Sequence, residues 1–184
     1  MCDHICFYKR QKIYKCFQTP TCTKITQKTC IFKYCNLICT YKYLSEASTD
    51  LAKGFLDDGL LPGDTVGVWG PNHPEWILTE YALAKAGLKM VTLNPLYKEQ
   101  ELIFALNTVN AKGLIHADAI GGLKADELIE IIKPEITSLK NIHSFDTGLK
   151  KLISSGKQSL ANLPSVNSKD IFMIQTFTLL HNFF

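Results

Sequence analysis

From Thr40 onward, apolar positions recur in two alternating patterns. Residues 44–58 place Leu44, Ala47, Leu51, Ala52, Phe55 and Leu56 at three- and four-residue steps, the signature of one apolar helical face. Gly59 stands where a left-handed cap ends such a helix, and Leu61-Pro62-Gly63-Asp64 is turn chemistry. Thr65–Trp69 then reads as a short strand with Val66 and Val68 on one face, broken by Gly70-Pro71-Asn72. Pro74 suits the first turn of the next helix, where a missing N–H costs nothing. Asn72 or His73 is placed to cap it, and Glu75 favours its positive end. That helix runs through Trp76, Ile77, Tyr81, Ala84 and Ala86 to a second stop at Gly87.

The alternation continues. Lys89–Leu93 reads as a strand ended by Asn94-Pro95, and 98–109 as a helix with Leu102, Ile103, Leu106 and Val109 on one side. A third strand covers 113–117. A helix over 124–133 carries Leu128, Ile131 and Ile132 and is followed by Pro134. A fourth strand fits 141–145 and a short helix 147–154. Residues 156–168 are polar and loop-like, and 170–177 is a final apolar run with strand character. Strands separated by single helices specify βαβ units, hence an α/β fold with a mostly parallel sheet flanked by helices and joined by right-handed crossovers. No apolar stretch is long enough to span a bilayer.

Composition divides this picture in two. The 184 residues carry 20 Lys/Arg and 17 Asp/Glu, a formal charge of +3. All seven cysteines (2, 6, 16, 22, 30, 35 and 39) lie in the first 39 residues, where seven basic residues face the single acid Asp3. The chain therefore reads as a Cys/Lys-rich segment, 1–39, and an α/β body, 40–184. The first segment resembles a transit peptide in being basic and poor in acids, but it has one arginine, no serine and no apolar run, so it is a poor leader. Zinc ligation needs close-spaced Cys or His pairs. The spacings around His4, Cys30, Cys35 and Cys39 contain no CxxC. An odd cysteine count argues against a closed disulfide framework. Lys9, Arg10, Lys12 and Lys15 interleaved with Tyr8, Tyr14 and Phe17 resemble a nucleic-acid arm only as far as any solvated basic run does. The reading adopted is a tail without a fold of its own, unrelated to the body, with no metal site and no nucleic-acid partner.

Candidate chemistry in the body is sparse. Gly121-Gly122-Leu123-Lys124 lacks phosphate-loop spacing and reads as a turn before a helix. His73 reads as a helix cap, and His116 and His143 as packed or edge residues of strands. Trp69 and Trp76 read as core, Asp57, Asp58, Glu127 and Glu130 as solvated helix surface, and Asn94-Pro95 as a strand-end turn. No catalytic or metal-binding residue is assigned, and cofactor-binding residues stay undefined.

Several strings in order nevertheless resemble one family. Thr40-Tyr41-Lys42-Tyr43-Leu44, Leu60-Leu61-Pro62-Gly63-Asp64 with Val66-Gly67-Val68, Trp69-Gly70-Pro71-Asn72 with Pro74-Glu75-Trp76, Ala86-Gly87 with Asn94-Pro95-Leu96-Tyr97, and Glu101-Leu102 with Ala111-Lys112 are similar to the entry region of AMP-forming acyl-CoA synthetases, adenylate-forming enzymes. The WGPN and VTLNPLY strings look closest to the medium-chain branch. The resemblance spans about 40–175 and implies an incomplete N-terminal subdomain of an adenylate-forming fold. It also implies the reaction of the full-length relative. A fatty-acid carboxylate attacks the α-phosphate of ATP, with Mg²⁺, and CoA then displaces AMP. By the same resemblance the location is mitochondrial, otherwise cytoplasmic.

The family's phosphate loop, of the form SGTTGxPKG, is not among these residues. Asp170-Ile171-Phe172-Met173-Ile174-Gln175 looks like the strand before it, and Thr178-Leu179-Leu180-His181-Asn182 like the segment after it. The chain alone is therefore expected to be inactive and to expose sheet edge and apolar surface. Two other readings stay open: a standalone flavodoxin-like nucleotide-binding module, which would use the carboxyl ends of the strands, and a non-catalytic interaction protein.

Overall fold

The computed structural model describes residues 29–30 and 39–175. The readings made for most of the Cys-rich segment, and for 176–184, fall outside these residues. Within them, β1 (Thr29–Cys30) pairs antiparallel with β2 (Cys39–Thr40). The body follows as α1 (Tyr41–Asp57), β3 (Thr65–Trp69), α2 (Pro74–Lys85), β4 (Lys89–Leu93), α3 (Glu99–Thr108) and β5 (Gly113–His116). A hairpin of β6 (Ala119–Ile120) and β7 (Leu123–Lys124) comes next. Then follow α4 (Ala125–Ile132) with a 3₁₀ turn at Lys133–Glu135, β8 (Asn141–Ser144), α5 (Thr147–Gln158) and β9 (Met173–Gln175).

The central sheet has five strands in the order β8-β5-β3-β4-β9, and every neighbouring pair is parallel. The chain steps from β3 to β4 on one side, then back across β3 to β5 and on to β8. Right-handed connections therefore put α2 on one face and α3 and α4 on the other. The first face also carries α1, which packs on both α2 and α5. Strand β3 lies between these layers, so all five of its residues are buried, not only Val66 and Val68 as a half-buried strand would have them.

Each helix is set by local chemistry. Thr40 caps α1, its Oγ1 accepting from the Tyr43 N–H at 3.1 Å. Leu44, Ala47, Leu51, Ala52 and Phe55 form the buried stripe, and Gly59 ends it at φ +94°. At the start of α3, Glu101 reaches back to accept from the Lys98 N–H at 2.7 Å. In α4 the buried stripe is Ala125, Ile129 and Ile132, whereas Ile131 is exposed. Of the three residues read from the sequence, Ile132 is buried, Leu128 partly buried and Ile131 exposed. The fifth helix is longer than 147–154 suggested, because Gly156 extends it by packing against α1 instead of ending it.

That contact is unusually close. A Cβ on Gly156 would fall 1.8 Å from the Asp50 carbonyl oxygen, and one on Gly54 would fall 2.3 Å from that of Leu152. The two helices therefore meet backbone to backbone through their glycines.

Candidate functional site

In open parallel sheets, ligands bind at the carboxyl ends of the strands, where the strand order reverses. Here that point lies between β3 and β5. Protein side chains fill it. Gly70, just past β3, is so close to its neighbours that a Cβ there would meet the Ala117 Cβ at 2.9 Å and the Phe145 ring at 3.0 Å. The His73 ring stacks on Phe145 with centroids 5.8 Å apart and planes 16° apart. His73 occupies the N-cap position of α2 but makes no capping hydrogen bond through its side chain. Its Nδ1 faces Glu75 Oε2 instead. The expected cap is thus a ring that stacks on Phe145 and faces Glu75 while occupying the N-cap position. Trp69 is buried, its Nε1–H donating to the Asn94 carbonyl at 3.1 Å. Asn94 turns the chain by accepting the Leu96 N–H on Oδ1 at 2.9 Å. Trp76 packs partly buried on the core. The Trp-Gly-Pro-Asn and Asn-Pro-Leu-Tyr strings therefore sit side by side as the ends of β3 and β4.

Next to this filled crevice, at the ends of β5 and β8, lies a cavity of about 390 Å³. Its walls include His116, Asp126, Ile129, Glu130, Ser144 and Thr147. His116 is 3% exposed. Its Nδ1 lies 3.0 Å from the Ala117 carbonyl, and its Nε2 lies 3.6 Å from Asp126 Oδ1. Glu130 is exposed on α4, as read from the sequence. A second cavity, of about 440 Å³, lies at the opposite, amino ends of β4 and β9, under the strap formed by Pro164 to Phe172.

Two polar clusters join elements that the sequence could not connect. Asp58 is exposed, as read from the sequence, and its Oδ2 accepts from Asn141 Nδ2 at 2.6 Å and lies 2.8 Å from His143 Nε2. It thereby ties the end of α1 to the edge strand β8. The pairing spans more than eighty positions, so no local pattern announces it. Lys85, at the end of α2, donates to the Ser45 carbonyl and Ser48 Oγ at 2.8 Å each and to Thr49 Oγ1 at 2.9 Å. Burial lowers its amine to about 8, against a smaller opposing pull from Asp50.

Gly121 and Gly122, at φ +59° and +86°, form the two-residue turn of the β6–β7 hairpin. The sequence pointed to a turn there but not to the flanking strands. A magnesium-bound nucleoside triphosphate would need a glycine-rich loop of backbone N–H groups beside acidic ligands. Among the described residues this glycine pair is spent on a hairpin, and no three Cys, His, Asp or Glu side chains converge as they stand. The described residues do not fit that group.

Comparison with known proteins agrees with the architecture. Mitochondrial medium-chain acyl-CoA ligase ACSF2 from Bos taurus is 34% identical over 110 residues, which cover 60% of this chain and 18% of that one. The protein of the same name from Danio rerio is 47% identical over 64 residues, 35% of this chain and 11% of that one. The chain thus spans less than a fifth of the length of these curated relatives. A long-chain-fatty-acid–CoA ligase from Archaeoglobus fulgidus superposes with a TM-score of 0.73 at 21% identity, covering 92% of this chain and 35% of that one. The anthranilate–CoA ligase AuaEII superposes with a TM-score of 0.72 at 20% identity, covering 90% of this chain and 30% of that one. Both superpositions show the fold. The profile of AMP-binding enzymes matches residues 21–176, which takes in part of the Cys-rich segment as well as the body. With that profile matched over most of its length, the chain belongs to the AMP-binding enzyme family.

Proposed function

We propose that this chain is the N-terminal scaffold of a ligase that activates medium-chain fatty acids with ATP and transfers the acyl group to CoA, working in mitochondria. The observation that carries this reading is the placement of the two most family-like strings. Trp69-Gly70-Pro71-Asn72 and Asn94-Pro95-Leu96-Tyr97 end adjacent parallel strands, and Trp69 Nε1 donates to Asn94 O, binding one string to the other. The names of the curated relatives support the acyl class and the compartment. The sheet, with β9 flanking β4, supplies a rigid platform on which strand-end loops can be held for such chemistry. In this reading ATP, Mg²⁺ and CoA are handled by parts of the enzyme other than the residues described, and the 184 residues alone do not adenylate.

The test is acid-dependent ATP–pyrophosphate exchange with purified 1–184 and medium-chain acids. Background exchange is expected, and robust exchange would overturn the scaffold assignment. The flavodoxin-like alternative loses its natural site, because Phe145, Ala117 and His73 occupy the crevice between β3 and β5.

A further inference from the structure

The paired strands ahead of the body hold chemistry that the ligase reading does not use. Among the described residues, cysteine occurs at Cys30 on β1 and at Cys39 on β2, and the antiparallel ladder sets these two directly opposite each other. Directly opposite residues of an antiparallel pair lie on one face of the ladder, with Cα atoms about 4.5–5.5 Å apart. A disulfide spans Cα separations of about 4.4–6.8 Å, so this register meets its requirement without backbone movement. A slip of one residue would set Cys30 against Ile38 or Thr40 instead. Nearness along the chain does not single out the pair, because Cys22 and Cys35 are both closer to Cys30 in sequence than Cys39 is. An odd cysteine count excludes a closed framework but not a single bridge. Strand β2 also runs straight into the body, since Thr40, which faces Thr29 in the ladder, is the N-cap of α1. A bridge here would tie β1 to the start of the helix that packs on α2 and α5. The family match begins at residue 21, so the ladder lies within it.

We propose that Cys30 and Cys39 form a reversible disulfide across the β1–β2 ladder, exchanged with a low-molecular-weight disulfide of the glutathione class, and that this bridge clasps β1 to the start of α1. One cysteine thiolate attacks the small disulfide, forming a mixed disulfide and releasing one small thiol. The second cysteine thiolate then attacks the protein sulfur of that mixed disulfide and releases the second small thiol. Two cysteines are oxidised to one disulfide, and one small disulfide is reduced to two thiols. The inference is independent of the ligase reading.

The experiment uses the full chain, first reduced and then equilibrated in a glutathione redox buffer. Free thiols are blocked with N-ethylmaleimide, and the tryptic peptides are read by tandem mass spectrometry. Cleavage after Lys28, Lys33 and Lys42 leaves Cys30 in 29–33 and both Cys35 and Cys39 in 34–42, so fragment ions assign the linked sulfur. The expected result is a joined pair of these peptides with Cys39 as the dominant partner of Cys30. That linkage should persist in Cys35→Ser, be lost in Cys39→Ser, and lose its dominance when the parent chain is oxidised in urea, where loop closure favours the nearer cysteines. Cys30 found free, joined chiefly to glutathione or to another cysteine, or joined to Cys39 in the same share in urea, overturns the proposal.

Discussion

Replacing Gly156 by alanine sets two effects of opposite sign against each other. By helix propensity alone, alanine in the last turns of α5 stabilises by about 1 kcal/mol. The packing opposes this. The added methyl would lie 1.8 Å from the Asp50 carbonyl oxygen, 2.7 Å from its carbon and 2.9 Å from the Gly54 nitrogen, all backbone atoms of α1. No rotamer change relieves such contacts, so the helices must move apart. That movement loosens the packing of Leu51 and Phe55 on α1 and of Leu149 and Leu152 on α5, all buried. Overpacking of this kind costs about 1–3 kcal/mol, and a clash with backbone belongs at or above the upper end. We expect a net loss of about 2 kcal/mol, read as a fall in melting temperature of about 4–8 °C by circular dichroism. Ser155→Ala, exposed on the same helix, serves as the control and should change little. A Gly156→Ala protein that melts at or above the parent temperature would refute the close-contact reasoning and leave propensity as the only effect.

Other outcomes follow from the polar contacts. Because burial lowers the Lys85 amine to about 8, the folded state releases this proton more readily than the unfolded chain, whose amine titrates near 10.5. The unfolded state therefore holds the extra proton between these values, and this group makes stability rise as pH increases from about 8 to 10.5. Urea melts across that range should show the rise, and Lys85→Met should abolish it. Ser48 and Thr49 remain hydrogen-bonded to Ser45 O in that variant, so the fold should survive. Asp58→Ala removes the acceptor shared by Asn141 and His143 and should cost about 1 kcal/mol in urea denaturation. Hydrogen exchange should quicken first along the edge strand β8. Gly122→Val forces a β-branched residue to φ +86° and should destabilise by about 1–2 kcal/mol in the same assay, whereas Leu61→Ala, on an exposed loop, should be nearly neutral.

The alternation of strands and helices was legible because its punctuation is chemical. Gly59, Gly63 and Gly87 all take positive φ, and Pro74 opens α2, so β3 and β4 match the pattern read from sequence to the residue. What escaped depends on distant partners. Gly156 reads as the start of a loop, and its close approach to α1 shows only when α1 and α5 are brought together. Asp58 is exposed as read, but its partners on β8 are too far away in sequence to be seen from it. Ile131, read on α4 with Leu128 and Ile132, lies off the buried stripe and is exposed. For the site, the strings at the ends of β3 and β4 were visible as family resemblance. The burial of His116 agrees with its reading as a packed strand residue, whereas its approach to Asp126 at 3.6 Å depends on where α4 lies. Glu127 and Glu130, which read as solvated helix surface, are both exposed on α4.

The central claim is that residues 40–175 are the working scaffold of a medium-chain fatty-acid–CoA ligase. It is tested most directly by a chimera of Bos taurus ACSF2 in which these residues replace the matching segment, assayed for ATP–pyrophosphate exchange that depends on a medium-chain acid. The account predicts acid-dependent exchange clearly above that of the isolated chain. A chimera that melts cooperatively yet shows no acid-dependent exchange would contradict it.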